Sequence, residues 1–391
     1  MKILMIAPEP IFEPRGTPLS VVGRLKTLSD LGHEVDLLTY SIGEDVVIPG
    51  VRIIRIPKLP GINKVKIGPS FKKIPLDFFL LVKTFFYLLK YEYQLIHSHE
   101  EAGFWGVFFA RIFKLPHIYD MHSSLPQQLK NFQFTHSKLL IKIFSAIESW
   151  MLRYSSRVIT ICPDLYTLVE KILPGKGSVL IENVIDYSMI FGENNVTDRI
   201  KSKLNLDNRK VLLYTGTFET YQGLDLLIKS AEIVVSKQKN VLFLLVGGHE
   251  YQVNFYKKMV KKAGLENYFI FTGQVPPNQV NSYIRCADML LSPRTKGTNT
   301  PLKIYSYLRS DLPVIATNLL THTQVLNSDV ALLCNPVPDS YAEGIVYLLK
   351  HTSQAKKIAM NAEKLAENNY SYQVYKTKLQ RVLSEAMERI V

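Results

Sequence analysis

The sequence predicts an α/β protein made of two doubly wound, Rossmann-like domains, and three observations lead to this fold class. The chain has 391 residues, of which 47% are hydrophobic and 21% charged, enough for two domains with separate cores. Short apolar runs alternate with longer segments of helical periodicity, as in parallel sheets covered by helices. A polar and weakly periodic segment at 187–209 separates the two halves and predicts a domain boundary or linker.

The apolar runs are the strand candidates. The first half contains KILMIAP, HEVDLLTY, YQLIHSH, HIYDMH and RVITIC. The second half contains KVLLYTG, NVLFLLVGG, YFIFTG, ADMLLSP, LPVIAT and VALLC. Because each run is short and bounded by turn residues or by a helical pattern, each predicts one strand of a parallel sheet.

Cysteine usage and the N-terminal residues bear on the compartment. Cys162, Cys286 and Cys334 are isolated and odd in number, so neither a disulfide framework nor a zinc site is expected. The apolar run after Lys2 is only five residues long, too short for a secretory signal or a membrane span. We therefore expect a cytoplasmic protein.

Positive charge is concentrated in residues 51–90. This segment has nine basic side chains and one acidic one, Asp77, and it ends in the aromatic stretch IPLDFFLLVKTFFYLLKYEY. One interpretation is contact with an anionic bilayer, on the inner face of the cell membrane. The other is a buried amphipathic helix with a solvated basic neighbour. Nucleic acid is not an expected partner, because no binding motif accompanies the charge.

The tripeptide Thr-Pro-Leu occurs twice, each time after a strand candidate and a loop that contains glycine. We predict that Thr17 and Thr300 are helix N-caps, with Pro18 and Pro301 at the first helical position. Helix N-termini bind phosphate, and ligands of open α/β sheets lie at the carboxyl ends of strands. Two such helix starts facing a cleft between the domains could hold a diphosphate. The alternative is that Thr-Pro simply begins each helix.

The order of the motifs resembles the family 4 glycosyltransferases, which are retaining enzymes of the GT-B fold that use nucleotide sugars. The similarity runs from Lys2 to about Lys350 and is carried by DLGHEVDLLTY, QLIHSH, IYDMHSSLP, SSRVITIC, IENVIDYSMI, LLYTGTFETYQGLDLLI, FLLVGG, FIFTGQVPPNQV, CADMLLSP and LPVIATN. The resemblance implies an acceptor-binding domain at 1–188 and a domain for the nucleotide sugar at 189–370. It also implies that a last helix, at about 371–391, returns to the first domain.

Several positions depart from the family pattern. The family often has two glutamates where this chain has Thr298 and Ser306, and an arginine and a lysine where it has Thr217 and Gln222. The donor phosphates would then need another cation. Lys303 is the best-placed candidate and Arg294 the second.

Two histidine motifs belong to the predicted first domain. His122 in YDMHSS matches a family histidine close to the transferred sugar, and Asp120 could orient that ring or its loop. The alternative is a loop histidine satisfied by the backbone. His97 and His99 resemble part of a metal cluster, but no third ligand can be named from the sequence.

The resemblance implies transfer of a hexose-type sugar, with retention and without a metal or other cofactor, from a nucleoside diphosphate sugar to a hydroxyl of a lipid-linked or glycan acceptor of the cell envelope. The catalytic candidates are His122, Asp120 and Lys303. Closure of the domains would exclude water. The donor-binding candidates are Gly16, Thr17, Gly216, Thr217, Gln222, Gly223, Val275, Pro276, Arg294, Thr298, Asn299, Thr300, Pro301 and Ser306. A non-catalytic binding or scaffold protein and a nucleotide-sugar epimerase of the same fold are the alternatives.

Overall fold

The structure, a computed structural model, divides the chain into two units with separate sheets. The first unit comprises Met1–Ile185 and Tyr372–Val391, and the second comprises Asp186–Ser371. The residues that the structure describes are 1–12, 16–65, 70–131, 137–175, 177–184, 187–206 and 208–388. The predicted α/β class is confirmed, because both sheets are parallel and carry helical crossovers.

The sheet of the first unit has seven parallel strands in the order β3-β2-β1-β4-β5-β6-β7. These are β1 (Lys2–Ala7), β2 (Glu34–Thr39), β3 (Val51–Arg55), β4 (Leu95–His99), β5 (His117–Met121), β6 (Arg157–Thr160) and β7 (Ser178–Leu180). The five predicted strands are confirmed. They are nearly continuously buried, as expected for a sheet covered on both faces. Sequence analysis missed β3 and β7, which form the two edges.

The helices of the first unit surround this sheet. They are α1 (Gly16–Asp30), α2 (Lys73–Lys90), α3 (Ala102–Phe113), α4 (Leu125–Asn131), α5 (Lys138–Tyr154) and α6 (Pro163–Ile172). Helix α2 buries one narrow stripe, which consists of Leu76, Leu80, Thr84 and Leu88, and exposes much of its aromatic content. No described helix is both long and apolar enough to cross a bilayer.

The basic segment 51–90 is not a continuous patch of solvated charge, because several of its basic side chains form ion pairs or hydrogen bonds within the first unit. Arg52 forms a bidentate pair with Asp36, and Arg55 donates to three backbone carbonyls as well as pairing with Asp45. Lys73 pairs with Glu101, and Lys83 donates to a backbone carbonyl. Four of the nine charges are therefore engaged within the unit. Lys66 lies outside the described residues.

The sheet of the second unit has six parallel strands in the order β10-β9-β8-β11-β12-β13, and all six predicted strands are confirmed. They are β8 (Lys210–Thr215), β9 (Val241–Val246), β10 (Phe269–Gly273), β11 (Met289–Ser292), β12 (Val314–Thr317) and β13 (Leu332–Cys334). Its α-helices are α7 (Tyr187–Phe191), α8 (Thr197–Leu204), α9 (Leu224–Lys237), α10 (Glu250–Lys262), α11 (Val280–Ile284), α12 (Lys303–Leu308), α13 (Leu320–Thr323), α14 (Pro338–Lys350) and α15 (Thr352–Tyr370).

The segment 187–209, predicted as a boundary or linker, carries helices α7 and α8 and belongs to the second unit. The backbone N–H of Val196 donates to the Ser282 hydroxyl, which donates to the carbonyl of Asn194; both distances are 3.0 Å. Arg285 forms a 2.6 Å ion pair with Glu193. Polar anchoring replaces an apolar face here, which explains the weak periodicity.

The predicted N-caps at Thr17 and Thr300 are both wrong. Helix α1 already includes Gly16, so Thr17 lies within its first turn. Helix α12 begins at Lys303, after Leu302 at the cap position, and Thr300 and Pro301 remain in the preceding loop. The N–H of Ile304 donates to the carbonyl of Pro301, so this hydrogen-bonded turn begins at Pro301 and does not include Thr300.

The last helix, α16 (Tyr372–Glu388), belongs to the first unit. Glu385 on this helix pairs with Arg157 at 2.8 Å, and Lys378 pairs with Glu182 at 2.7 Å. Tyr372 donates a hydrogen bond to Asp30 at the end of α1. Polar contacts therefore attach the end of the chain to α1, to β6 and to the residues that follow β7.

Replacing Gly106 by Ala should destabilise the first unit, although alanine is the better helix former. An added Cβ would lie 2.7 Å from His117 Nε2 and 2.8 Å from Ser98 Oγ, which share a 2.6 Å hydrogen bond. Overpacking of this kind costs about 1–3 kcal/mol, more than the ~1 kcal/mol gained in helix propensity. Urea unfolding measures the difference. An equal or higher stability would contradict close packing of α3 on the sheet, and Ala146→Gly, at an exposed site on α5, measures the propensity effect alone.

Candidate active site

In the second unit, most predicted donor residues lie at the point where the strand order reverses. Strands β8 and β11 are neighbours in the sheet but not in the chain, and ligands of doubly wound sheets bind outside the carboxyl ends of strands at such a point. One loop, 216–223, follows β8, and the other, 293–302, follows β11.

The two loops pack against each other at a glycine. Gly223 has φ of +76°, and a Cβ there would overlap the carbonyl group of Pro293. Gly223 therefore serves the packing of these loops, whatever else it contacts. Gly216 is exposed, has φ of +136°, and would place a Cβ 3.5 Å from Nζ of Lys303. Loop 216–223 and Lys303 are thus neighbours, as a shared phosphate site requires.

Lys303 is the most unusual group in this region. It is the first residue of α12, and its Nζ atom is shielded from solvent with no hydrogen-bond partner among the described residues. The ammonium lies 3.6 Å from the centroid of the Tyr214 ring. Burial, together with the positive charge of Arg294, lowers the pKa of Lys303 well below its ordinary value. An anion beside Nζ would offset both effects.

Arg294 does not occupy an equivalent position. Its Nε donates to the carbonyl of Lys296 at 2.7 Å, and its guanidinium lies 5.0 Å from the centroid of the Tyr221 ring. Burial lowers the pKa of Arg294. The side chain therefore braces its own loop and contributes positive potential near Lys303.

The other predicted donor residues are distributed around these loops. Gln222 donates to the Thr217 hydroxyl at 3.4 Å, and Gln222 Oε1 and Thr300 Oγ1 are buried without a hydrogen-bond partner among the described residues. The carbonyls of Thr298 and Asn299 accept bonds from side chains of the α13 region. The remaining candidates lie further along the chain: Pro301 is buried before α12, Ser306 is half-buried on α12, and Val275 and Pro276 follow β10 at the sheet edge.

His322 is a residue of this region that sequence analysis missed. It is completely buried; its Nδ1 donates to the carbonyl of Thr317 at 2.9 Å, and its Nε2 accepts from the Ser292 hydroxyl at 2.8 Å. Burial lowers its pKa to about 3, so the ring is neutral. It joins the ends of β11 and β12 without adding a third positive charge near Lys303. Its position in the sequence THT gives no signal for this role.

In the first unit, the carboxyl ends of β4 and β5 bring a second group together. The strands pair in register with His99 opposite Asp120. Asp120 Oδ2 accepts a 2.7 Å bond from Arg24 of α1 and lies 3.2 Å from His97 Nε2, while Oδ1 lies 3.3 Å from His122 Nε2. The nitrogens His99 Nδ1 and His122 Nε2 are 3.0 Å apart, so one of them carries the shared proton. All five side chains are buried.

Arg24 determines the electrostatics of this network. Burial by itself would raise the pKa of Asp120, but Arg24, with smaller contributions from His122 and His99, holds it well below its usual range. Burial lowers the pKa of His97 and of His99. Asp120 is therefore a carboxylate beside neutral His97 and His99, and its Oδ1 atom lies 3.3 Å from His122 Nε2. Arg24 also lies 4.8 Å from the centroid of the Tyr375 ring on α16.

The structure supplies the third group that the sequence could not name beside His97 and His99. These two rings stack at 4.9 Å, and with Asp120 they bring possible metal-ligand atoms within 4.8 Å of one another. However, the Asp120 oxygen nearest to His97 and His99 already bonds the permanently charged guanidinium of Arg24. A metal ion would compete with this cation for the same oxygen, so the arrangement favours an ion pair.

Gly16 and Thr17 begin α1, beyond β1 and at the corresponding reversal between β1 and β4. A Cβ on Gly16 would meet no described atom within 4 Å. No described residue therefore fills the space beside Gly16 at the carboxyl end of the sheet.

Replacing Arg24 by Met should destabilise the protein by about 3–5 kcal/mol, because it leaves the Asp120 carboxylate buried without its cation. Asp120→Asn alone should also be costly. The double variant should recover much of the loss, and a double-mutant cycle of urea unfolding measures the coupling. Additive losses would mean that the Arg24–Asp120 pair does not act as a unit.

Known protein families match the sequences of both units. Residues 16–188 match the family model described as Glycosyltransferase Family 4, and residues 196–365 match the one described as Glycosyl transferases group 1. The chain is 22% identical to a phosphatidyl-myo-inositol mannosyltransferase of Mycolicibacterium smegmatis, over 98% of this chain and 93% of that protein. It is 25% identical to an alpha-monoglucosyldiacylglycerol synthase of Streptococcus pneumoniae, over 75% of this chain and 66% of that protein.

Solved structures show the same fold at low sequence identity. A sucrose-phosphate synthase from Thermosynechococcus elongatus superposes with a TM-score of 0.78 at 19% identity, covering 99% of both chains. Anabaena HepE, solved in complex with UDP-glucose, superposes with a TM-score of 0.75 at 18% identity, covering 98% of this chain and 99% of that one.

Proposed function

Since the chain belongs to glycosyltransferase family 4, has the GT-B fold and is a hexosyl-type glycosyltransferase, we propose that its donor diphosphate binds beside Lys303 and that its acceptor is lipid-linked. The observation that carries the first part is the buried Lys303 ammonium, which has no hydrogen-bond partner among the described residues and lies next to Gly216. A buried cation without a partner is costly, and a diphosphate supplies the missing anion.

The surroundings of Lys303 suit a diphosphate. Gly216 allows a phosphate to approach the backbone. Thr300 has a buried hydroxyl without a hydrogen-bond partner among the described residues, and this hydroxyl can donate to the phosphate. Lys303 then replaces the basic residues that are absent at Thr217 and Gln222. As the bond between the anomeric carbon and the diphosphate breaks, negative charge grows on the leaving oxygen, and a fixed ammonium stabilises that charge. The oxygen of the acceptor hydroxyl bonds to the anomeric carbon, and the hydroxyl proton passes to the leaving diphosphate. The configuration at the anomeric carbon is retained.

His122 is proposed to hydrogen-bond the transferred sugar. Asp120 lies 3.3 Å from Nε2 of this ring and is a carboxylate because Arg24 stabilises its charge. The carboxylate fixes the orientation of the ring. We propose that the reaction needs no metal, which is supported by a permanently charged guanidinium on Asp120 and an ammonium at the phosphate position.

The lipid-linked acceptor is inferred from relatives. A phosphatidyl-myo-inositol mannosyltransferase is named for a lipid acceptor, and an alpha-monoglucosyldiacylglycerol synthase is named for a lipid product. UDP is the first nucleotide to test for the donor, because HepE was solved with UDP-glucose. Incubation with UDP-, GDP- and ADP-sugars and a lipid extract, followed by measurement of nucleoside diphosphate release and of the product's anomeric configuration, tests the activity. Donor binding without turnover would favour the non-catalytic alternative, and conversion of the free nucleotide sugar would favour an epimerase.

Lys303→Met should weaken binding of the nucleoside diphosphate by about 1.5–3 kcal/mol, the range for a charge-assisted hydrogen bond. Binding of the bare nucleoside should be unchanged. Calorimetry should also detect proton uptake when the diphosphate binds, because the anion restores the lowered pKa of Lys303. The diphosphate prefers the protonated form of Lys303. Its affinity should therefore fall as the pH rises from the lowered pKa of Lys303 in the free protein towards the higher pKa of Lys303 in the complex.

Two results would contradict this role of Lys303. Lys296→Met removes an exposed lysine of the same loop and should have no effect, so an equal loss in both variants would indicate only a change in net charge. Lys303→Met should keep or raise the melting temperature, because it removes a buried ammonium without a described partner. A large loss of stability would indicate a structural lysine.

His122→Ala should lower turnover more than donor affinity, since the proposed bond strengthens as charge develops on the sugar. Initial rates and calorimetric titration of the donor measure the two effects separately. His351→Ala, at an exposed histidine, is the matched control. Equal losses in rate and affinity, or no loss, would assign His122 a structural role.

A further inference from the structure

Three helices of the first unit expose large apolar side chains along their outer faces. We call this the three-helix face and define it by nine residues that are more than a third exposed: Phe78, Phe86, Leu89, Phe104, Phe108, Ile112, Leu139, Leu140 and Ile143. They lie on α2, α3 and α5. Phe86 is 61% exposed and Phe108 is 51% exposed, although the outer surface of a helix in a globular protein is normally polar.

The exposed side chains follow helical spacing, so they form a continuous stripe on each helix. On α3, Phe104, Phe108 and Ile112 are four residues apart and exposed, while Trp105 and Phe109 face the interior. A stripe of this kind on a surface helix marks an interaction site.

The three stripes form one surface because the helices contact each other through aromatic rings. Phe85 of α2 stacks on Phe109 of α3 with ring centroids 5.8 Å apart. On the other side of α3, Phe104 lies 5.5 Å from Trp150 of α5, and the Arg111 guanidinium lies 4.4 Å from the Tyr154 ring centroid. Helix α3 is therefore the middle of the face.

The acidic side chains of these helices are engaged within the unit, whereas most of their basic side chains are exposed. The three acids on the helices and their caps are all engaged: Asp77 accepts a bond from Tyr40, Glu101 pairs with Lys73, and buried Glu148 accepts from the N–H of Leu125. Seven basic residues of the same segments are exposed, namely Lys72, Lys90, Arg111, Lys114, Lys138, Lys142 and Arg153. The solvent side of this face thus combines apolar groups with positive charge alone.

We infer that the three-helix face docks on the surface of an anionic lipid bilayer, with its aromatic and aliphatic side chains at the boundary between headgroups and acyl chains and its basic side chains at the headgroups. This combination is typical of proteins that lie in the bilayer interface. A second copy of this chain fits poorly, because it would place seven like charges against seven others. Nucleic acid would satisfy the charges but leave the apolar centre uncovered.

This inference goes beyond the basic segment 51–90, since four charges of that segment are engaged elsewhere and two of the three helices lie outside it. It would bring the chain to the lipid-linked acceptor of the proposed function, but it does not depend on that function. Donor binding and transfer to a soluble acceptor can therefore succeed or fail independently of vesicle binding.

Co-sedimentation with vesicles of phosphatidylcholine, with and without phosphatidylglycerol, tests the docking. The unmodified chain should bind the anionic vesicles, bind the neutral ones at least tenfold more weakly, and be released by salt. A variant with Phe86→Ser, Phe108→Ser and Ile143→Ser should lose at least tenfold in binding, and so should one with Lys90→Glu, Arg111→Glu and Lys142→Glu.

Helix α10 of the second unit provides matched controls, because it also exposes two aromatic residues and several lysines. Tyr251→Ser with Phe255→Ser, and Lys257→Glu with Lys258→Glu and Lys261→Glu, should leave vesicle binding unchanged. Equal losses in face and control variants would overturn the inference. So would anionic binding that survives both face variants, or a face variant that only converts a dimer to a monomer.

Tryptophan fluorescence offers a second readout that does not depend on whether the serine and glutamate variants of the face fold. Its two tryptophans are Trp105 and Trp150; the first is turned inward on α3 and the second lies at the face on α5. Brominated phosphatidylcholine in anionic vesicles should quench the fluorescence of the chain, strongly in Trp105→Phe and weakly in Trp150→Phe. No quenching by brominated vesicles that bind the chain would place the contact elsewhere and overturn the inference.

Discussion

The buried pair of Arg24 and Asp120 is the interaction on which the first unit depends. A carboxylate with no exposure can persist inside a sheet only if a cation accompanies it, and here the cation comes from α1. The same carboxylate lies beside His97, His99 and His122, and the same guanidinium lies against Tyr375 of α16. One ion pair thus links the first helix, two central strands, the last helix and the candidate catalytic histidine.

The second unit also shields a cation from solvent, but this cation has no hydrogen-bond partner among the described residues. Arg24 has a partner in the folded chain, whereas the Lys303 ammonium is shielded from solvent against Tyr214 without a hydrogen-bond partner in the part of the chain that the structure describes. The first arrangement stabilises the fold, and the second leaves an unfavourable charge that a ligand can neutralise. The difference separates a residue that builds the structure from one that the proposed reaction uses, although both place a positive group out of solvent beside the carboxyl end of a parallel sheet.

The sequence predicted the fold better than the site, for physical reasons. Central strands of a parallel sheet are apolar throughout, so their runs are easy to recognise, whereas β3 alternates with arginines at an edge and β7 has only three residues. Motif order led to His122, Asp120 and Lys303. The contact between Arg24 and Asp120 depends on how α1 packs on β5, 96 residues away in the chain, and no local pattern contains it. Thr300 was misjudged because a capping signal does not reveal that the loop continues to Lys303.

The return of α16 to the first unit constrains the order in which the chain can fold. Residues 1–185 leave the ribosome first, but Tyr375 beside Arg24, Glu385 beside Arg157 and Lys378 beside Glu182 are made last. The second unit has no such dependence, because its residues are contiguous in the chain. A chain that ends at Ser371 would therefore contain all residues of the second unit but an incomplete first unit, whose Arg24 lacks its aromatic neighbour.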